Sequence, residues 1–221
     1  MIYDKDIREP LFDWLEETYG KVRVIEEKTI GKSRADVFMV LPGAIWGLEI
    51  KSDADTYARL ARQVKDYDKF FDRNLVVVGT SHAMHIEEHV PAHWGIITVD
   101  QTETGPDFYL LRQPSDGTKV TWERKLALLW RPELVAIQEK FRMPRYKEKS
   151  KAFVVKAIAE QIGTLIPEEQ LQEEYSRLLF ERDYTEIAQK IEAFKQENKR
   201  STAVERKPRK RRKRVRKASK I

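Results

Sequence analysis

The sequence predicts a mixed α/β fold: a central sheet flanked by helices, then a small all-α region and a disordered basic tail. Three features predict it. Apolar residues recur at helical spacing near the N-terminus. Short alternating or fully apolar runs of strand length follow. Beyond Trp122 the chain turns charged and helical in period.

Residues 4–19 read as an amphipathic helix with Leu11, Phe12, Leu15 and Tyr19 along its apolar stripe. Pro10 is placed in its first turn, where a missing N–H costs little, and Gly20 ends it. K-V-R-V-I-E-E at 21–27 alternates as a strand. A-D-V-F-M-V at 35–40 and I-W-G-L-E-I-K at 45–51 flank a P-G turn, so these two strands are expected to form a hairpin. A second helix is expected from about 55 to 71, with Leu60, Val64, Tyr67 and Phe71 on one face. L-V-V-V-G at 75–79 is a continuous apolar run, as in a strand covered on both faces. A short helix at 83–90, the strand G-I-I-T-V at 95–99 and edge strands at 107–112 and 118–122 complete the order. Helices near 123–130, 132–141, 149–162, 167–181 and 184–195 follow, punctuated by Pro132, Pro144 and Pro167. The expected domains are therefore 1–122 as the α/β unit, 123–196 as the helical unit and 197–221 as the tail, which has no apolar periodicity.

Composition narrows the function. A chain of 221 residues with 41% hydrophobic residues can bury a real core. The absence of Cys excludes disulfides, thiolate metal sites and cysteine nucleophiles, and fits a reducing cytosol. No apolar run approaches the length of a membrane span, and the N-terminus lacks the pattern of a signal peptide. The net charge of +6 is unevenly placed. Of the 42 Lys and Arg, eleven lie between Arg206 and Ile221, which leaves 31 against 36 Asp and Glu, a net of −5 over the rest. The body is mildly acidic and the tail strongly basic.

The stretch G-L-E-I-K demands a chemical reason. On a strand, alternate residues share a face, so Gly47, Glu49 and Lys51 point one way. On the neighbouring strand Asp36 shares a face with Phe38 and Val40, and hairpin pairing brings Asp36 close to Glu49 and Lys51. Unpaired buried charges are costly, and two adjacent carboxylates repel unless a divalent cation lies between them. Oxygen ligands suit Mg²⁺ (or Mn²⁺), and a lysine beside such an ion can position a water or offset charge on a phosphate. The simpler reading is an ordinary edge-strand ion pair between Glu49 and Lys51.

The pattern R-A-D-V…G-L-E-I-K, with Asp36, Glu49 and Lys51 in D-x12-E-x-K spacing, resembles the PD-(D/E)XK nuclease superfamily, as does the order α-β-β-β-α-β. Q-V-K-D-Y also has the Q-x-x-x-Y form of RecB-type members, with Gln63 and Tyr67 one helical turn apart. The likeness covers roughly residues 5–100. It extends to bacterial mobile-element proteins that pair this core with a helical C-terminal part. Ala35 stands where the superfamily name has Pro. The resemblance implies a restriction-endonuclease-like fold. By it Asp36 and Glu49 bind the metal together with the Ile50 carbonyl, Lys51 serves the attacking water, and Gln63 and Tyr67 line the site. It also implies a carboxylate from the first helix, for which Glu9 is preferred and Glu16 is second, both on one flank of the stripe. Resolvase-like relatives make a homodimer possible, although no residue marks a dimer face.

Weaker signals have two readings each. Lys32, Ser33 and Arg34, in the loop before Asp36, either contact phosphates or are simply solvated. Asp53 and Asp55 lie at the rim of the site or, as favoured, open the second helix. His85-Ile86-Glu87-Glu88-His89 matches a zinc-protease pattern, but the helix is short and a third ligand is missing; Thr80 or Ser81 would cap it. Residues 131–158 have the shape helix, basic loop, helix, faintly like the SAP DNA-binding motif. Leu134, Ile137, Phe153, Val154 and Ile158 would be its core, and Arg142, Arg145, Lys147, Lys149 and Lys151 would face phosphates; a plain helical hairpin is the alternative. The tail, including Arg209, Lys210, Arg211 and Arg212, would bind any polyanion in a salt-dependent way.

The expectation is a Mg²⁺-dependent nuclease acting on DNA, in repair, recombination or defence, in the cytoplasm and associated with the nucleoid. The alternatives are a non-catalytic DNA-binding protein on the same fold and an RNA nuclease.

Overall fold

The computed structural model describes residues 3–183 together with Gln189, Glu192 and Ala193. The chain divides into two units, Met1–Arg182 and Asp183–Ile221. The helix expected at 184–195 and the tail at 197–221 fall outside the described residues, apart from the three just named.

The first unit opens with α1 (Asp4–Tyr19), whose buried stripe is Ile7, Leu11 and Leu15. Pro10 lies inside this helix rather than in its first turn. The carbonyl it leaves unpaired, four residues back, belongs to the exposed Asp6, where water can serve it. The sheet follows as β1 (Arg23–Ile30), β2 (Ser33–Leu41), β3 (Ala44–Lys51), β4 (Arg73–Gly79), β5 (Gly95–Thr102) and β6 (Gly105–Arg112). Its six strands run in sequence order; β1–β2, β2–β3 and β5–β6 are antiparallel, and β3–β4 and β4–β5 are parallel. Pro42 and Gly43 make the β2–β3 hairpin turn, with Gly43 at φ 74°. The predicted mixed sheet flanked by helices is the fold observed.

Each face of the sheet buries its own cluster. Under α1, Ile7, Leu11 and Leu15 pack on Val37, Met39, Leu48, Ile50, Leu75 and Val77. The other face carries Phe38, Val40, Ile45, Val76 and Val78 against Leu60, Val64, Tyr67 and Phe71 of α2 (Leu60–Phe70) and its C-terminal cap. The alternation shifts once. Ala35 and Phe38, three apart, lie in the same cluster, while Val37 lies in the other. Opposite this shift Glu27 adopts φ 56°, in the left-handed region that a glutamate rarely enters. Its neighbours Glu26 and Lys28 pair with Val37 and Ala35, so the distortion sits beside Asp36.

The second helix begins later than its apolar pattern suggests. The Asp55 carboxylate accepts the Ser52 N–H at 2.9 Å and hydroxyl at 2.7 Å, closing a turn after β3. A 3₁₀ turn, Tyr57–Arg59, then leads into α2. The segment expected as a helix at 83–90 is instead a one-turn α3 (Thr80–Ala83) and a 3₁₀ turn, Ile86–Glu88. The strand expected at 118–122 does not form. There the Lys119 N–H donates to the Asp68 carbonyl at 2.6 Å and the Thr118 hydroxyl to that of Asp72 at 3.2 Å, tying the segment across the end of α2.

The boundary expected at residue 122 does not separate two cores. Helices α4 (Trp122–Leu128), α5 (Arg131–Lys140), α6 (Lys151–Ala159) and α7 (Glu168–Phe180) share one hydrophobic cluster with the α2 face of the sheet, through Leu126, Leu134, Ile137, Val154, Ile158, Leu171 and Tyr175. At 11 residues α2 is about 16 Å long, too short to cover that face. Helix α7 covers the hairpin end: Ser176 accepts the Gly43 N–H at 3.0 Å and Gln172 donates to the Gly43 carbonyl at 2.9 Å. Asp72 clamps the two parts, accepting from the Ile45 N–H at 2.9 Å and from buried Lys125 at 2.8 Å.

Candidate functional site

Strand β3 lies between β2 and β4, so the charges of G-L-E-I-K are interior and the edge-strand reading does not apply. Glu49 is fully buried and Lys51 is 5% exposed. The Lys51 ammonium donates to Glu49 Oε1 at 2.6 Å and to Gln63 Oε1 at 3.3 Å. The Gln63 amide nitrogen donates to the same Glu49 oxygen. The Tyr67 hydroxyl donates to Glu49 Oε2 at 2.7 Å and accepts the Asp36 N–H at 3.1 Å. Gln63 and Tyr67, one turn apart on α2, therefore hold opposite oxygens of one carboxylate. Gly47 makes this approach possible: a Cβ there would lie 2.6 Å from the Tyr67 ring and 2.3 Å from that of Phe71.

Asp36 stands where β2 and β3 part. The last paired residues are Val37 and Leu48, and beyond them Asp36 Oδ2 accepts the Ile50 N–H at 3.0 Å. Burial and then the charge of Glu49 push the Asp36 carboxyl up to about 7, against the pull of the Ile50 N–H, Lys51 and Arg8. Burial, with Glu49 and Asp36 beside it, likewise raises the Tyr67 phenol well above its usual range. The phenol stays protonated and remains a donor to Glu49. Lys51 is bonded to Glu49 and the Arg8 guanidinium stands 3.9 Å from Asp36, so Asp36 is the carboxylate left short of positive charge, and a cation beside it would relieve it.

These residues open into a polar cleft of about 600 Å³, whose lining includes Asp36, Glu49, Ile50, Lys51 and Gln63. Lys32, in the β1–β2 turn, lines it as well, and so does Arg34, which lies on β2 and not in the expected loop and is paired with Glu27. The first helix contributes differently from expectation. Glu9 and Glu16 are exposed and outside the cleft, because Ile7, not Phe12, completes the buried stripe, and Glu9 is two residues, about 200°, around from Ile7. Asp4 and Arg8 face the cleft instead. Arg8 donates to Asp4 at 2.7 Å, to Glu26 at 3.1 Å and to Glu27 at 3.2 Å, and its guanidinium lies 3.9 Å from Asp36 Oδ1. Sequence reasoning also missed Arg59 and Arg62, which line the cleft from the start of α2. Their signal was two arginines beside Gln63 on a helix whose first turn carries no acid.

Asp55 lines the cleft while closing its turn, and Asp53 bonds to Ser81, so neither opens the helix. His85 and His89 flank a 3₁₀ turn instead of sharing a helix face; His85 lies 3.7 Å from Glu88 and the His89 ring 4.1 Å from that of Tyr57. Among the described residues no three His, Cys, Asp or Glu side chains converge on a metal position. Asp4, Glu27 and Asp55 of the lining are held by Arg8, Arg34 and Ser52, which leaves Asp36, Glu49 and Ile50, with its carbonyl, as a set suited to a hard cation that keeps several waters.

The α5–α6 loop brings Arg145, Lys147 and Lys149 onto a separate exposed surface. Arg145 is paired with Glu139, Lys151 donates to the Ala127 carbonyl at 2.6 Å, and exposed Arg142 has φ 53°. Leu134, Ile137, Val154 and Ile158 are core, but Phe153 is 44% exposed, lying under Lys149. Arg209, Lys210, Arg211 and Arg212 lie outside the described residues. No helix among the described residues is long and apolar enough to cross a membrane.

A family model described as bacteriophage P4 protein cII matches residues 2–207. No curated protein matches the chain. A solved structure of Pyrococcus furiosus SfsA in complex with Ca²⁺ is similar at 15% identity and a TM-score of 0.34, over 52% of this chain. This chain spans 65% of the length of that one.

Proposed function

We propose that this chain, which belongs to the bacteriophage P4 protein cII family, is a metal-dependent nuclease of the PD-(D/E)XK type acting on DNA. One observation carries the reading: a fully buried glutamate on an interior strand, shared by Lys51, Gln63 and Tyr67, beside a second carboxylate at the mouth of a polar cleft. A structural ion pair needs no such cleft and no second carboxylate held near neutrality.

Asp36, Glu49 and the Ile50 carbonyl would hold Mg²⁺ or Mn²⁺. When bound, the ion supplies Lewis acidity and a more acidic water. The chain's own residues do the rest. Tyr67 and Gln63 fix the Glu49 carboxylate. Arg8, anchored by Asp4, Glu26 and Glu27, keeps a positive charge beside Asp36. Lys51 orients the attacking water and offsets charge that develops on the phosphate. The basic tail and the α5–α6 loop would add affinity without sequence preference. A nucleoid-associated place in the cytoplasm, and action as monomer or homodimer, belong to the same proposal.

The test is cleavage of plasmid, single-stranded DNA and RNA by the purified chain in Mg²⁺, Mn²⁺ or EDTA. Metal-dependent nicking or linearisation of DNA is the expected result. Cleavage of RNA alone would change the substrate, and tight DNA binding with no cleavage of any substrate would leave a non-catalytic DNA-binding protein. Gln63→Ala is expected to lower turnover by about a hundredfold, because Lys51 and Glu49 lose their shared partner. Gln63 is only partly buried and lies outside the apolar core, so thermal melting should move by only a few degrees. Unchanged turnover at equal melting temperature would make Gln63 an ordinary helix residue.

A further inference from the structure

The cleft holds more positive charge than the chemistry uses. Arg8 and Arg34 are paired with carboxylates, and Lys51 with Glu49. Lys32, Arg59 and Arg62 also line the cleft, are exposed, and have no ion pair among the described residues. On a body of net negative charge, three unpaired cations on one wall are conspicuous. They are not there for helix stability, because cations at the start of a helix oppose its dipole.

This wall is also braced. Lys32 sits in the β1–β2 turn, whereas Arg59 caps the start of α2 and Arg62 lies in its first turn, and a buried carboxylate joins the turn to the helix. Asp66 of α2 is 7% exposed and accepts the Ser33 hydroxyl at 2.8 Å and the Lys32 N–H at 3.2 Å. Gly31, at φ 54°, lets the turn close on Asp66; a Cβ there would lie 2.9 Å from the carboxylate oxygen. Burying a carboxylate to dock a solvent-exposed turn makes sense if the residue carried by that turn must be held in place.

Resting on the nuclease reading, we propose that Lys32, Arg59 and Arg62 are the substrate clamp. They grip backbone phosphates of the strand on the α2 side of the cleft, and Asp66 is the positioning residue that sets Lys32 against the two arginines. Arg59 and Arg62 can each take a phosphate in two parallel hydrogen bonds, while Lys32 acts as a point charge. The contacts read no bases, so the clamp is indifferent to sequence.

The test is equilibrium binding of a single-stranded DNA 12-mer in EDTA over a range of salt. It uses the full chain carrying R209A/K210A/R211A/R212A to reduce the contribution of the tail. R59A/R62A should lower the slope of log affinity against log salt by about 1.4, and K32A by about 0.7. Asp66→Ala should reproduce the K32A loss and add nothing to it in the double variant, whereas a merely structural role would make the two effects add. Both Arg59 and Arg62 are exposed, so R59A/R62A should melt as the parent does. An unchanged slope in R59A/R62A and K32A overturns the clamp, whether or not the chain cleaves. A reduced slope in a chain that cleaves nothing upholds the clamp and removes the nuclease.

Discussion

Lys51→Ala is expected to lower metal-dependent cleavage by about 10²–10³-fold while leaving DNA affinity nearly unchanged. The ammonium is held 2.6 Å from Glu49 and 5% exposed, so it touches few phosphates in the bound strand before reaction. Affinity resides instead in exposed cations. The same substitution carries a stability cost that distinguishes this lysine from a surface one. It strands a fully buried carboxylate with only the neutral donors Gln63 and Tyr67, which costs about 3 kcal/mol. In EDTA the melting temperature should fall by roughly 6–12 °C. Mg²⁺ should restore much of it, since the ion replaces the missing positive charge, yet cleavage should not return. Wild-type cleavage rates in Lys51→Ala, measured under single-turnover conditions, would remove Lys51 from the mechanism.

Asp36→Asn should make the protein more stable and inactive. The Asp36 carboxyl is raised to about 7, so between about pH 4 and pH 7 the folded chain holds a proton that the unfolded chain has released. Stability therefore falls as pH rises through that window and levels off above it. The full difference amounts to at most about 4 kcal/mol. Asparagine keeps an acceptor for the Ile50 N–H and never ionises. Asp36→Asn should accordingly lose this pH dependence and exceed the parent in stability at pH 8 in EDTA. Mg²⁺ should raise the melting temperature of the parent more at pH 8 than at pH 5.5, because the ion competes with the proton, and should do little for the variant. Chemical denaturation at pH 5.5 and pH 8 measures the stabilities, thermal melting with and without Mg²⁺ measures the effect of the ion, and the plasmid assay measures the lost activity. A variant with the same pH slope as the parent would show that Asp36 is not the group held near neutrality.

Much of the fold was legible because its signals are local. The strands around Asp36 and Glu49, the apolar run of β4 and the stripe that places Tyr67 and Phe71 inward follow from alternation and helical spacing. Where the expectation missed, a side chain closing a local turn or a contact between distant segments decided. Asp55 closes a turn on Ser52 and delays α2. Residues 118–121 are tied to the end of α2 and not to a sheet edge. Helices α4–α7 looked like a domain of their own because their charge and period change at Trp122. They are instead the cover that the hairpin end of the sheet requires, and Asp72 with Lys125 fastens them there.

The candidate site divides the same way. Glu49, Lys51, Gln63 and Tyr67 were readable because each is fixed by its own strand or helix periodicity, and the side-chain direction follows from the backbone. Asp36 was readable from its spacing to Glu49, although the β2 alternation that was to set its face shifts between Ala35 and Phe38. By itself the sequence determined the mixed sheet, the identity of these five residues and the separation of an acidic body from a basic tail. Only the tertiary structure decided that β3 is interior, that Arg8 and not Glu9 reaches the site, and that the β1–β2 turn carrying Lys32 is docked on the α2 that carries Arg62. The rotation of α1 depends on which apolar residues find partners in the sheet, and the place of the β1–β2 turn depends on Asp66. Both are settled by packing between elements far apart in the chain, which no local period encodes.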